Sequence, residues 1–103
     1  FDSDGNFLDE WISKENGRPW GLDVGGDGFL YVIYGGELNN APPERSVAVK
    51  KDLKGNDLET WGSFGKYDGQ FYWGHDIAVG KDAAVYITDV NVGMRVQKFV
   101  PRV

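Results

Sequence analysis

Residues 73–99 read WGHDIAVGKDAAVYITDVNVGMRVQKF, and this stretch decides the fold. Its apolar residues fall into three short runs in which many alternate positions are polar or small, which is typical of half-buried β-strands. Gly80-Lys81-Asp82 separates the first two runs and favours a hairpin turn. His75, the single histidine of the chain, lies directly before the first run. The three predicted strands are 76–79, 84–88 and 95–99.

A weaker copy of this pattern lies upstream and predicts a unit of four strands over residues 21–62. Gly25-Gly26-Asp27-Gly28 favours a hairpin turn between the first two strands. The run 29–34, FLYVIY, is apolar throughout, which indicates a strand covered on both faces. Because Pro19 has no amide hydrogen for a sheet ladder, we expect the first strand to begin after it. The four predicted strands are 21–24, 29–34, 45–49 and 58–62.

Residues 7–13, FLDEWIS, are predicted to form one exposed strand, and their pattern returns later in the chain. The return is shifted by 50 residues (5 to 55), and Arg45 and Arg95 are separated by the same shift. Between these positions the inner strands repeat with a shift of 55 residues, as from Tyr31 to Tyr86. The matched positions of the exposed strand are Gly5 with Gly55, Asn6 with Asn56, Leu8 with Leu58, Trp11 with Trp61 and Ser13 with Ser63.

A repeat near 50 residues with about four strands per unit is typical of the blades of a β-propeller. We therefore predict an all-β chain in which residues 1–103 form one two-blade unit. Its parts are an outer strand at 7–13, a four-stranded blade at 21–62 and a partial blade at 76–100. The alternative is a small β-sandwich in which the similarity of the two halves arose by chance.

Two blades do not close a propeller, which needs roughly four to eight of them. Each end blade would keep a bare apolar face that requires a partner. Either the chain is part of a longer one, or copies assemble and each donates residues 7–13 to the last blade of its neighbour. Three copies would close a ring of six blades, so we prefer a homotrimer for a chain of this length.

Composition excludes several classes of function. Apolar residues make up 41% of the 103 residues, which is too many for a disordered chain. The net charge of -5, without any cluster of lysine and arginine, argues against nucleic-acid binding. No apolar run approaches the roughly 20 residues of a membrane-spanning helix, so we expect no membrane span. Without cysteine the chain has no disulfide or thiolate metal site, and its compartment stays open.

Residues 74–99, GHDIAVGKDAAVYITDVNVGMRVQKF, resemble the NHL repeat of β-propellers, as do DGNFLDEWIS and KGNDLETWGSFG. The histidine before the first strand is similar to that of the lyase domain of peptidylglycine α-amidating enzymes. This resemblance implies a six-bladed propeller that cleaves peptidyl-α-hydroxyglycine into a peptide amide and glyoxylate. It also implies zinc held by three histidines on alternate blades, a possible calcium ion in the channel, and an extracellular or periplasmic location.

The resemblance implies that His75 is a metal ligand. The equivalent position of the first blade is Trp20, which is not a histidine. Ile77 matches a position whose carbonyl oxygen would face calcium. The tyrosine of the family follows an Asp-Gly pair, but here the sequence is Tyr34-Gly35-Gly36, and the family's arginine has no counterpart. The catalytic residues are therefore unassigned, and one chain does not supply the whole site.

His75 has a simpler alternative role, because a histidine at a strand start often only bonds a neighbour. The directions of the predicted strands nevertheless place several loops on the same face of the molecule as His75. These loops either line a pocket or pack the mouth of the channel. Two functions follow: a zinc-dependent lyase that needs assembly, or a non-catalytic module that binds proteins or small ligands. The predicted pocket residues are Arg18, Trp20, Tyr34, Tyr72, Trp73, Asp76, Asp89 and Met94.

Overall fold

The chain folds into two antiparallel β-sheets in a computed structural model that describes residues 1–12, 16–35 and 46–101. The first sheet has four strands in the order β1-β2-β3-β4, and the second has three in the order β5-β6-β7. Within the described ranges no residue is helical, so the predicted all-β class is confirmed and the sheets are consistent with propeller-like blades. The strands are β1 Arg18–Val24, β2 Leu30–Gly35, β3 Val47–Lys51, β4 Asp57–Trp61, β5 Gly74–Val79, β6 Val85–Asp89 and β7 Arg95–Phe99.

The first hairpins of the two sheets close with the same turn, which confirms both predicted turn positions. The amide of Gly25 bonds the carbonyl oxygen of Phe29 at 2.9 Å, and the amide of Gly80 bonds that of Ala84 at 2.8 Å. In each turn the fourth residue has a positive φ, which is 82° at Gly28 and 66° at Ala83. A left-handed residue at this point lets the chain re-enter the ladder with the twist of the strands.

Strand pairing shows how the two sheets correspond. Tyr31 pairs with Lys50 in the first sheet, and Tyr86 pairs with Lys98 in the second. The shift is therefore 55 residues for β2 to β6 (31 to 86) but 48 for β3 to β7 (50 to 98). The predicted equivalence of positions 45 and 95 is wrong, because the register places Val47 at the position of Arg95.

The bounds of β1 also correct a prediction. The strand begins at Arg18 and includes Pro19, which pairs with Tyr34. Proline is tolerated here because β1 lies at the edge of its sheet, where the missing amide hydrogen breaks no ladder. By contrast, β7 has the predicted bounds.

The core lies between the two sheets, where β5 packs against β1 and β2. Ile33 of β2, Ile87 of β6 and Phe71 of the preceding loop are fully buried in this core. β2 is buried along nearly its whole length, as the apolar run FLYVIY predicts. Its other face forms a second buried cluster with Val49 of β3. Burial of one face of each sheet against the other therefore holds the two repeats together.

Residues 7–12 belong to no strand and are exposed. The predicted pairing of residues 7–13 with another copy thus has no counterpart within the described chain and stays a prediction. Ser13 and Arg45, the ends of two predicted strands, lie outside the described residues. Across the parts that are described, no helix has both the length and the apolar character needed to cross a membrane.

Replacing Ala83 with glycine should stabilise the fold. Ala83 has a φ of 66°, whereas the equivalent residue of the first sheet is already glycine. Relief of the left-handed strain should raise the free energy of unfolding by about 1 kcal/mol, as measured by urea denaturation.

The matched control is Gly28→Ala, because a Cβ at Gly28 would meet nothing within 4 Å and only backbone strain is tested. That variant should lose about 1 kcal/mol. A destabilised Ala83→Gly protein would contradict this account of the turn.

Candidate functional site at the paired bulges

The first strands of the two sheets, β1 and β5, contain the same irregularity. The register of β1 on β2 shifts between Pro19 and Gly21, and that of β5 on β6 shifts between Gly74 and Asp76. The pairing registers skip Trp20 and His75, which have no partner on the neighbouring strand. A bulge of this kind redirects one side chain away from the regular alternation of the strand, and bulges are frequent next to functional sites.

The two bulge residues meet. The rings of Trp20 and His75 are stacked with centroids 5.2 Å apart and planes 23° from parallel. Trp73 completes the group edge-on to Trp20, at a centroid distance of 5.4 Å. We call these three residues the bulge cluster. His75 lies inside β5, which begins at Gly74, whereas the sequence analysis placed it directly before the strand.

Close approach of the two sheets fixes the bulge cluster. A Cβ at Gly21 would lie 2.7 Å from a carboxylate oxygen of Asp76, so only glycine fits there. A Cβ at Gly35 would overlap the indole of Trp20 and also meet Trp73 at 3.2 Å. Two glycines thus allow the inner strands and the tryptophans to pack at this distance.

His75 itself is exposed, and among the described residues its ring makes no hydrogen bond or ion pair. The alternative in which it bonds a neighbour therefore has no support within that part of the chain. The adjacent Asp76 accepts a hydrogen bond from the amide of Ile77 at 2.9 Å and makes none with the ring. The imidazole nitrogens of His75 are thus available to a ligand.

Asp89 supports the loop that carries Trp73. Its side chain is fully buried and accepts hydrogen bonds from the amides of Tyr72 at 2.9 Å and Trp73 at 2.7 Å. Arg95 lies near this carboxylate, with its Nε 3.8 Å away. The other guanidinium nitrogens of Arg95 donate to three carbonyl oxygens of the same loop, those of Lys66, Tyr67 and Gln70. Asp89 and Arg95 therefore position the loop.

The remaining predicted pocket residues occupy different environments. Tyr34 is buried beside Val32 and Val49 in the cluster on the other face of β2. Tyr72 is half-buried, and its ring packs on that of Phe64 at 5.1 Å. Arg18 begins β1 and is half-buried, and Met94 is 83% exposed immediately before β7. The structure brings together Trp20, Trp73, His75 and Asp76.

The residues that the structure describes do not form a metal centre by themselves. Among the described residues, no group of three or more histidine, cysteine, aspartate or glutamate side chains is arranged to hold a metal ion. His75 nevertheless fits the role of a single ligand, because its imidazole is exposed and uncommitted. Zinc in a catalytic site needs three protein ligands, so two would have to come from outside this set.

A second concave region, missed by the sequence analysis, lies at the opposite end of the sheets. This cavity of about 900 Å³ opens between the two sheets and does not include His75. Charged groups on β3, β4 and the first hairpin line the cavity together with aromatic rings from both sheets. The signal in the sequence was the charged residue at a core-facing strand position, Lys50. The lining residues used below are Asp27, Tyr31, Lys50, Glu59, Trp61 and Phe99.

Asp27 and Tyr31 form a coupled pair in this cavity, with the tyrosine hydroxyl donating to the carboxylate at 2.6 Å. Burial tends to raise the pKa of Asp27. Hydrogen bonds from Tyr31 and from the amide of Phe29, together with the charge of Lys50, outweigh burial and leave that pKa below its usual value. Burial and the hydrogen bond to Asp27 raise the pKa of Tyr31 well above its ordinary range.

Comparisons with known proteins do not identify this chain. No protein-family model matches it, and no curated protein is similar enough to count as a relative. The function therefore has to be argued from the site.

Replacing Asp89 with asparagine should weaken the fold rather than act only at the site. The amides of Tyr72 and Trp73 would lose a buried anionic acceptor, which should lower the free energy of unfolding by about 2–3 kcal/mol in urea denaturation. The control is Asp82→Asn, whose exposed side chain accepts one local bond and should cost less than about 1 kcal/mol. Equal effects of both substitutions would contradict the structural role of Asp89.

Tyr31 should ionise later than the other tyrosines when the pH rises. Its folded pKa is raised, so its contribution to stability is complete below about pH 10 and is lost as the pH passes the folded value. Ultraviolet titration of the 5 tyrosines should show a late component that is absent in Tyr31→Phe. Tyr67→Phe, which changes an exposed ring, should leave the late component in place.

Proposed function

We propose that this chain contributes to a zinc-dependent lyase of the peptidylglycine-amidating type, with His75 as its metal ligand. The observation that supports this proposal is the uncommitted imidazole of His75 in the bulge of an innermost strand. Innermost strands of propeller blades face a common axis, so equivalent histidines from several blades converge there. The resemblance of residues 74–99 to the NHL repeat supplies the reaction class.

The proposed centre needs three histidines, and this chain contains one. Trp20 occupies the equivalent bulge in the first sheet, so histidine would recur on every second blade. Three copies, or further blades of a longer chain, would complete the set. We prefer the homotrimer of six blades for the chain as it stands, and we propose calcium as a possible second ion of the channel.

Bound zinc would supply Lewis acidity and lower the pKa of a coordinated hydroxyl group or water. The proposed substrate carries a hydroxyl group on the carbon that is bonded to the amide nitrogen. Removal of the hydroxyl proton forms a carbonyl group, the carbon–nitrogen bond breaks, and the nitrogen takes up a proton. The products are a peptide amide and glyoxylate, so atoms and charge balance without an oxidant.

The residues around His75 have positioning roles in this proposal. Trp20 covers one face of the imidazole, which restricts its rotation and excludes water from that side. Trp73 packs edge-on to Trp20, and Asp89 in turn fixes the backbone of Trp73. Such outer contacts orient metal ligands in protein sites.

The alternative function is a non-catalytic module that binds a small ligand or a peptide. The cavity of about 900 Å³ at the far end of the sheets favours it, because pockets of 300–1,000 Å³ are typical of ligand sites. Its walls combine the carboxylate of Asp27 and the ammonium group of Lys50 with the rings of Trp61 and Phe99. A zwitterionic ligand with an aromatic group matches this lining.

The purified chain should bind one zinc ion per three copies, as measured by metal analysis with light scattering on the same sample. His75→Ala removes the proposed ligand and should abolish zinc binding and the release of glyoxylate from a peptidyl-α-hydroxyglycine. Lys81→Ala is the control, because Lys81 is exposed in the hairpin at the far end of β5 and should leave both properties unchanged.

Zinc that stays bound in His75→Ala would reject His75 as the ligand. A protein without zinc at any degree of association would reject the lyase and leave the binding module as the better proposal.

A further inference from the structure

The first residues of the chain form the same turn as the residues before β4. In both, the first aspartate accepts hydrogen bonds from the backbone two and four residues later and from an asparagine side chain. These bonds measure 3.0, 2.9 and 3.0 Å at Asp2 and 2.9, 2.9 and 2.9 Å at Asp52. Gly5 and Gly55 have φ values of 84° and 93°. The turn 2–6 is therefore a structural copy of 52–56.

The segments that follow the two turns have different partners. After Asn56 the chain forms β4, which pairs with β3, whereas residues 7–12 pair with no strand of the described chain. In the second sheet, β7 is the equivalent of β3, and it lies at the edge of its sheet with one side unpaired. The described chain thus contains one segment that pairs with no strand and one sheet edge with an unpaired side.

Two tryptophans place residues 7–12 at the position of an outer strand. Trp61 of β4 packs against Phe99, the last residue of β7, at 6.1 Å between ring centroids. Trp11 lies against Gly55, where a Cβ would be 2.8 Å from the indole. Gly55 belongs to the turn after β3, and Phe99 ends the equivalent strand β7. Each tryptophan therefore packs on the outer end of the sheet that follows it in the chain.

The exposed faces of the two sheets carry counterparts of residues that are covered within the chain. Ile77 and Val79 of β5 belong to the core together with Tyr31 of β2. Their register equivalents are exposed on the outer faces, Leu22 at 61%, Val24 at 56% and Tyr86 at 37%. The positions that join the two sheets to each other thus recur as exposed apolar residues on both outer faces.

We propose that a second copy of this chain docks on β7 and supplies residues 7–11 as the fourth strand of the second sheet. The register of β3 on β4 fixes the expected pairing, because Lys50 pairs with Glu59 there. Lys98 is the equivalent of Lys50 and Asp9 that of Glu59, so the new pair also joins opposite charges. The expected pairs are Phe7 with Phe99, Asp9 with Lys98, Glu10 with Gln97 and Trp11 with Val96.

The same docking brings Leu22 and Val24 of the second copy towards Tyr86 of the first. The contact is head-to-tail, because the two copies use different surfaces, and such contacts end only by closing into a ring. The interface does not depend on the proposed zinc centre, whereas the trimeric form of that centre depends on the interface. A linked assembly that binds no zinc would support the interface and reject the lyase.

The test uses the absence of native cysteine in the chain. A size-tagged Asp9→Cys chain is mixed with an untagged Lys98→Cys chain and oxidised mildly. The pairing predicts a disulfide-linked heterodimer on a non-reducing gel. Asp9→Cys mixed with Met94→Cys is the control, because Met94 is also exposed but lies at the other end of β7. Equal linkage in both mixtures, or none in either, would overturn the proposed register.

Charge reversal provides a second readout that does not depend on oxidation. Asp9→Lys and Lys98→Glu should each weaken self-association by roughly five- to tenfold in sedimentation or light scattering, because they place like charges opposite each other. The double variant restores an opposite pair and should recover most of the loss. A wild-type chain that remains monomeric at high micromolar concentration, or a double variant weaker than both single variants, would reject the proposal.

Discussion

Face-to-face packing of the two sheets is the contact on which the rest of the molecule depends. Each sheet buries an apolar face against the other, and this shared layer joins the two repeats. Ile33 and Ile87 meet in this layer without any exposure to solvent, and Phe71 closes it from the connecting loop. Since the packing also fixes the distance between β1 and β5, it determines where the two bulges lie relative to each other.

The two bulges have the same place in their sheets but carry side chains of different chemistry. β1 and β5 break their registers at equivalent residues, yet one presents an indole and the other an imidazole. The local backbone is therefore repeated while the side chain is not. Among the described residues the imidazole of His75 bonds no neighbour and has one face stacked on Trp20, which suits the ligand role proposed for it.

Much of this arrangement follows from the sequence, because alternation and turn residues determine strands locally. The bounds of β7 and both hairpin turns were predicted correctly, and so was the equivalence of Trp20 and His75. Pro19 was placed outside β1 since the sequence does not reveal that this strand is an edge.

Long-range features escaped prediction for a physical reason. Asp89 looked like a pocket residue, but its partners are backbone amides 16 and 17 residues earlier, which no side-chain pattern records. The equivalence of 45 and 95 came from matching arginines, whereas hydrogen-bond registry decides which residues correspond. The cavity between the sheets depends on how far apart their ends lie, and this distance is set by packing rather than by any local motif.

The turn at residues 2–6 has a consequence for the kinetics of any association. It closes on itself through Asp2, without support from a sheet. The segment after the turn therefore starts from a fixed backbone conformation. Less conformational entropy remains to be lost when a partner binds it. Such pre-organisation makes encounter more productive, so residues 7–12 would bind a second copy faster than a disordered segment of the same length.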